Sequence, residues 1–321
     1  MRRLLRILVI SACAGTVFSP QSGHGYVRTR TKVSCRPLRW AQTCIFLQPD
    51  AELLRDDLPA DVTLQAIQSA IAAWNDRLAP SSFLQLHYLP PTDSREASQT
   101  DRLGWIKFRF GSWCRPPKDS SSSPVCFDPS ATAVTTVSFL NKPTEPDLDG
   151  QIVDTDIDLN AVGYRFVDGS KPLSTGDRRS PVDLWNVLTH ELGHVMGLDH
   201  TCLIDGGSSG CMTDHKGAQV VTCATLDGQR FSSQDAETAY EAAMYPTTTA
   251  GDYSRRIPTA DDLAGVITTH PASADPQVCS LPSVASGCTV SAQVQFGNPP
   301  FWAALGGLSV LLALSLRLRR R

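Results

Sequence analysis

The sequence predicts an α+β protein, because short strand-like runs fill its first half and helical patterns dominate after Ser180. Two further observations agree. Helical apolar spacing appears within 63–78 and again from 184, and 22 prolines with 22 glycines break the chain into short elements. Hydrophobic content of 41% and charged content of 19% suit an ordinary folded body in a chain of 321 residues. A formal net charge of -3 leaves no basic excess, so no nucleic-acid partner is expected.

Cys44-Ile45-Phe46-Leu47 reads as a first short strand. Thr63 to Leu78 reads as a helix, with Leu64, Ile67, Ile71, Trp74 and Leu78 at helical spacing. Phe83 to Leu89 is a strand stopped by Pro90-Pro91, and Gly104 to Phe110 alternates apolar with polar residues as a half-buried strand does. Val134 to Leu140 is another strand, and Ile152 to Leu159 alternates more weakly after the turn Asp149-Gly150. Lys118 to Pro124 is a serine-rich loop. No internal repeat is visible, and the whole reads as one domain over 26–271, followed by a Pro/Ser-rich linker over 272–300.

Both ends read as addresses. A basic start, the apolar run Ile7 to Phe18 and the small residues up to Gly25 make 1–25 a signal peptide cleaved before Tyr26. Ile10-Ser11-Ala12-Cys13 offers lipidation at Cys13 as an alternative. At the far end an apolar run from Phe301 to Leu316 precedes Arg317-Leu318-Arg319-Arg320-Arg321. As a helix it spans roughly 24 Å against a bilayer core of about 30 Å. With Gly287-Cys288 upstream, 301–321 resembles the C-terminal sorting tails of myxobacteria. That resemblance implies membrane contact and removal of the tail; a permanent transmembrane helix is the alternative.

Ten cysteines fit an oxidising compartment. Cys35 with Cys44, and Cys114 with Cys126, are close enough in sequence to close local disulfide loops. Cys202, Cys211, Cys223 and Cys279 then supply two further pairs in an order the sequence leaves open. Their wide spacings lack the tight C-x2-C form of a thiolate zinc site.

The chemistry concentrates in His190-Glu191-Leu192-Gly193-His194-Val195-Met196-Gly197-Leu198-Asp199-His200. Ser180 is read as the N-cap, with Pro181 first and Asp183 third in a helix whose buried stripe is Leu184, Val187, Leu188, Leu192 and Val195. His190 and His194, four apart, emerge on one face and can share a Zn²⁺ at about 2.0–2.1 Å. Glu191, rotated about 100° away, suits a base beside the metal. Gly197 lets the chain leave through a left-handed turn, so His200 can return as the third ligand. Three histidines leave a zinc position open, which is the pattern of a catalytic site.

These eleven residues resemble the extended zinc signature of the metzincins, and the chain is most similar to the matrixin (matrix-metalloprotease-type) branch over roughly 35–271. Asp156-Ile157-Asp158-Leu159-Asn160, Ala243-Met244-Tyr245-Pro246 and Asp261-Asp262-Leu263-Ala264-Gly265-Val266 are the supporting matches. The resemblance implies a zincin with a twisted mixed sheet, an active-site helix and a small C-terminal subdomain. It further implies Met244 as an apolar floor under the zinc, and Tyr245 and Pro246 in the wall of the pocket beyond the scissile bond. Thr259 to Asp262 is itself a capping box.

Two departures accompany the resemblance. The stretch 201–243 is an insertion carrying Cys202, Cys211, His215 and Cys223, expected as a disulfide-pinned flap. No zinc-capping propeptide is expected between leader and body. Calcium is a second candidate ion near Asp147, Asp149, Asp154, Asp156 and Asp158. The resemblance implies a secreted or surface zinc endopeptidase, monomeric, with Glu191 as general base and polypeptide as substrate. The extended substrate would add to the strand near Val134 to Phe139. The alternatives are an extracellular zinc-containing adhesion module without turnover, and a membrane protein whose zinc body is incidental.

Overall fold

The alternating runs of the first half become the strands of one sheet. The computed structural model describes residues 25–281 apart from 53–56, 94–100, 118–120, 174–177, 205–209 and 230–233. The leader, Cys13, the Gly287-Cys288 pair and the apolar tail lie outside the described residues. Among the described residues no helix is long and apolar enough to cross a membrane.

In chain order the elements are β1 (Val27–Arg28), β2 (Arg39–Trp40), β3 (Cys44–Pro49), α1 (Ala60–Leu78), β4 (Gln85–Tyr88) and β5 (Gly104–Arg109). Next come β6 (Cys114–Arg115), β7 (Val125–Cys126), β8 (Ala133–Phe139), β9 (Gln151–Asn160), β10 (Tyr164–Val167) and β11 (Ser180–Asp183). Then follow α2 (Leu184–Val195), β12 (Leu198–Asp199), α3 (Cys223–Gln229), α4 (Gln234–Glu241) and α5 (Ala260–Thr269). The central sheet runs β2-β9-β5-β3-β4 with every one of these pairs parallel, while β8 joins β9 antiparallel. This is a mixed architecture with a mostly parallel sheet and few helices, compatible with the α+β class. Representative registers are Ile106 opposite Ile157 and Ala133 opposite Leu159. Among the described residues β8 pairs only with β9, so its outer edge is unpaired.

One sheet face and two helices make the main core. Ile67, Ile71, Trp74 and Leu78 of α1 meet Leu184, Val187, Leu188, Leu192 and Val195 of α2 over Ile45, Leu47, Ile106, Ile157 and Leu159. Two indoles fix the helix lengthwise: Trp74 Nε1 donates to the Thr189 carbonyl (2.9 Å) and Trp40 Nε1 to the Val195 carbonyl (2.8 Å). Such buried donors would otherwise remain unsatisfied.

The start of α2 corrects the sequence reading. Ser180 and Pro181 are not cap and first turn; they belong to β11, which pairs parallel with β10. Asp183 is the N-cap, accepting from Asn186 N at 2.8 Å. A long-range ladder outcompetes the local cap signal, and the carboxylate three residues later serves instead.

The disulfides also correct it in part. Cys114–Cys126 closes the β6–β7 hairpin as expected, and Cys202–Cys223 comes from the open set. Cys35 and Cys44 do not pair with each other: Cys35 bonds Cys211 and Cys44 bonds Cys279. The physical reason is that Cys44 is held in β3 of the sheet while Cys35 lies before β2 and outside every strand, so each meets a cysteine far along the chain. Cys44 is buried at the head of β3, while Cys35 stays on the N-terminal arm. The Cys44–Cys279 bond also ties the residues just beyond 271 to the body.

Candidate metal centre

Helix α2 delivers His190, Glu191 and His194, and its exit delivers His200. Gly197 has φ +85, the left-handed turn the spacing predicts. A Cβ there would come 2.6 Å from Arg28 Nη2 and 3.0 Å from the Leu38 carbonyl oxygen, so glycine is required for space as well. After that turn β12 pairs antiparallel with β1, Val27 opposite Asp199, and this holds the approach to His200. Arg28 secures the same corner by donating to the Met196 carbonyl at 2.9 Å.

The three imidazoles converge. His190 Nε2 and His194 Nε2 each lie 3.2 Å from His200 Nε2, and all three ligand atoms fall within 4.8 Å of one another. Backbone carbonyls choose the tautomers. His190 Nδ1 donates to the Ala243 carbonyl (2.7 Å) and His194 Nδ1 to the Leu198 carbonyl (2.9 Å), leaving both Nε2 lone pairs aimed inward. Lone pairs facing one another at this distance repel unless a cation lies between them, so the donor set fits a divalent metal. Loss of water around the half-buried rings, with His194 adding, pulls His190 down to about 3 and His200 well below the usual histidine range. The ligating form is therefore the neutral one.

Glu191 is buried beside this trio. Burial raises its carboxyl, while His194 and a hydrogen bond from Thr135 oppose the rise. Thr135 Oγ1, on β8, donates to Glu191 Oε2 at 2.5 Å and lies 3.3 Å from the Glu191 carbonyl oxygen. Nothing in the sequence around Thr135 marks it, because the contact bridges 56 positions.

Met244 is buried against α2: a Cβ at Gly193 would stand 2.1 Å from Met244 Sδ. The turn carrying Met244 is fixed by Asp262, whose carboxylate accepts from Ala243 N (2.9 Å) and Met244 N (3.2 Å). Asp262 also completes the capping box with Thr259 that the sequence predicts. One carboxylate thus starts α5 and sets the carbonyl that orients His190.

Tyr245 is buried in a second, smaller core with Cys202, Cys223, Leu226, Ala236 and Ala239. Its hydroxyl donates to Asp227 of α3 at 2.7 Å, and the Arg255 guanidinium lies over its ring at 4.9 Å. Pro246 beside it is half-buried. Of the aspartates considered for calcium, four have partners within the protein. Asp158 pairs with Arg109 and Arg115, Asp156 accepts from Trp105 N, Asp154 from Asp101 N, and Asp149 from Lys142 N. Asp147 is exposed. A cavity of about 110 Å³ lies at the other end of α2, lined among others by Val62, Trp185 and Arg256, and none of the three histidines borders it.

Compared with known proteins, the chain matches no family model and no curated sequence.

Proposed function

We propose that the chain is a zinc-dependent endopeptidase of metzincin type, nearest in its motifs to the matrixins, acting outside the cytoplasm. The observation that carries this reading is the convergence of His190, His194 and His200 on one point beside the buried Glu191 carboxylate. A zinc ion held there supplies Lewis-acid activation of water and of the scissile carbonyl. Glu191 removes a proton from the attacking water and returns it to the leaving amine. Thr135 holds one carboxylate oxygen, which leaves the other free for that transfer. The unpaired outer edge of β8 receives an extended peptide as an added strand. Met244 keeps the floor of the site apolar, and Tyr245 and Pro246 flank the side-chain pocket. Four disulfides support export, in keeping with the leader and tail.

The test is a mixed peptide library incubated with purified protein, with and without chelator, followed by zinc add-back. Cleavage that stops on chelation and returns with zinc supports the proposal. A protein that carries a full equivalent of zinc and cleaves nothing is the adhesion module instead.

A further inference from the structure

A second group of metal-ligating side chains stands apart from the three histidines. Cys44 Sγ, Cys279 Sγ and a ring nitrogen of His87 all lie within 4.8 Å of one another. Cys44 opens β3, His87 sits on the edge strand β4 opposite Phe46, and Cys279 arrives on the segment that follows α5. Thr43 anchors that segment by donating from its amide to the Val278 carbonyl (2.8 Å) and from its hydroxyl to Asp275 (2.6 Å). The three ligands thus come from three distant parts of the chain, which no local cysteine spacing reveals.

His87 Nε2 is buried and has no hydrogen-bond partner among the described residues. A buried imidazole nitrogen with no partner calls for an explanation, and a bound ion or a redox role is among the few available. Among the described residues, neither Cys35–Cys211 nor Cys114–Cys126 nor Cys202–Cys223 has a third ligand within such reach.

We propose that Cys44, Cys279 and His87 form a redox-gated site for a thiophilic d¹⁰ cation, Zn²⁺ or Cu⁺, that opens when the Cys44–Cys279 disulfide is reduced. A dithiol reductant gives two electrons and two protons to the disulfide, yielding two thiols and its own disulfide. Metal binding then releases the two thiol protons to solvent and forms two metal–sulfur bonds and one metal–nitrogen bond. Tetrahedral zinc needs its sulfurs roughly 3.8 Å apart, from Zn–S bonds of about 2.3 Å. The Cys44 and Cys279 Cα atoms, 4.9 Å apart, lie close enough for that after the S–S bond opens. Cys279 is exposed, so an ion from solvent can reach this cluster. In either redox state a crosslink keeps Asp275–Leu281 on the sheet: a covalent one when oxidised, a metal when reduced. This inference is independent of the proposed peptidase activity.

Cobalt substitution of the full chain tests it, because only thiolate ligation gives a sulfur-to-cobalt charge-transfer band. Oxidised protein should take one Co²⁺, at the three histidines, without that band. Protein reduced with a phosphine should take a second equivalent with the band, and H87A should weaken that second affinity at least tenfold. Because reduction also opens other disulfides, C279H provides a second route: it cannot form the bond and should bind the second ion in air, where C279A does not. The proposal is overturned if neither reduced protein nor C279H takes a second equivalent, or if H87A leaves that binding unchanged.

Discussion

The Thr135 hydroxyl and the Glu191 carboxylate meet at 2.5 Å, linking the edge strand β8 to the helix that carries His190 and His194. A carboxylate held at one oxygen has one orientation left for its other oxygen, and small misplacements of a reacting group are costly. T135V removes the hydroxyl while keeping the shape. It should lower kcat roughly 10- to 100-fold with KM and zinc content unchanged, and T135S should restore most of the rate. Equal kcat in T135V and wild type would remove the positioning role.

Metal and stability should be linked through the three imidazoles. A metal that binds only the folded state adds about 4 kcal/mol when present at a thousand times its dissociation constant. Chelation should therefore lower Tm markedly, and zinc should restore it. In H200A that zinc-dependent rise should vanish, while the Tm in chelator stays near that of the chelated wild type. Differential scanning calorimetry with and without zinc decides this; an undiminished rise in H200A counts against His200 as a ligand.

Gly193 and Met244 are so close that no side chain fits between them. G193A must push Met244 away and, with it, the Ala243 carbonyl that orients His190. Overpacking of this kind costs roughly 1–3 kcal/mol, measurable by urea unfolding. A drop in zinc affinity should accompany it. Full stability together with wild-type affinity would show that the turn gives way freely.

Much of this site could be read in advance because its signal is local. His190, His194, Gly197 and His200 lie on one helix and its exit, where spacing alone determines direction. The buried stripe Leu184 to Val195 and the capping box at Thr259 follow from the same short-range geometry. What escaped was long-range. Ser180-Pro181 imitates a helix start until the partner β10 is known, and Cys35 finds Cys211 across 176 positions because the chain folds back. Thr135 and His87 sit on strands with ordinary neighbours, and only the tertiary fold shows what they face.

The opposite sheet face carries a pH dependence of defined sign. Burial, with Asp154 adding and Arg115 opposing, pushes Asp156 from 3.8 up to about 7. The folded carboxyl holds its proton longer than the unfolded one, so its contribution to stability is full below pH 3.8 and fades as pH rises through about 7. D156N stays neutral throughout. Its stability relative to wild type should therefore improve from pH 4 to pH 8 in denaturant titrations, whereas a pH-independent difference would place Asp156 outside that linkage.

The most direct measurement is peptide cleavage by E191Q protein whose zinc content has been determined in the same sample. With His190, His194 and His200 intact, it should hold one zinc per chain as wild type does and cleave nothing above background. If E191Q with that zinc cleaves at the wild-type rate, the carboxylate beside the metal is not the base, and the hydrolytic reading of this site is wrong.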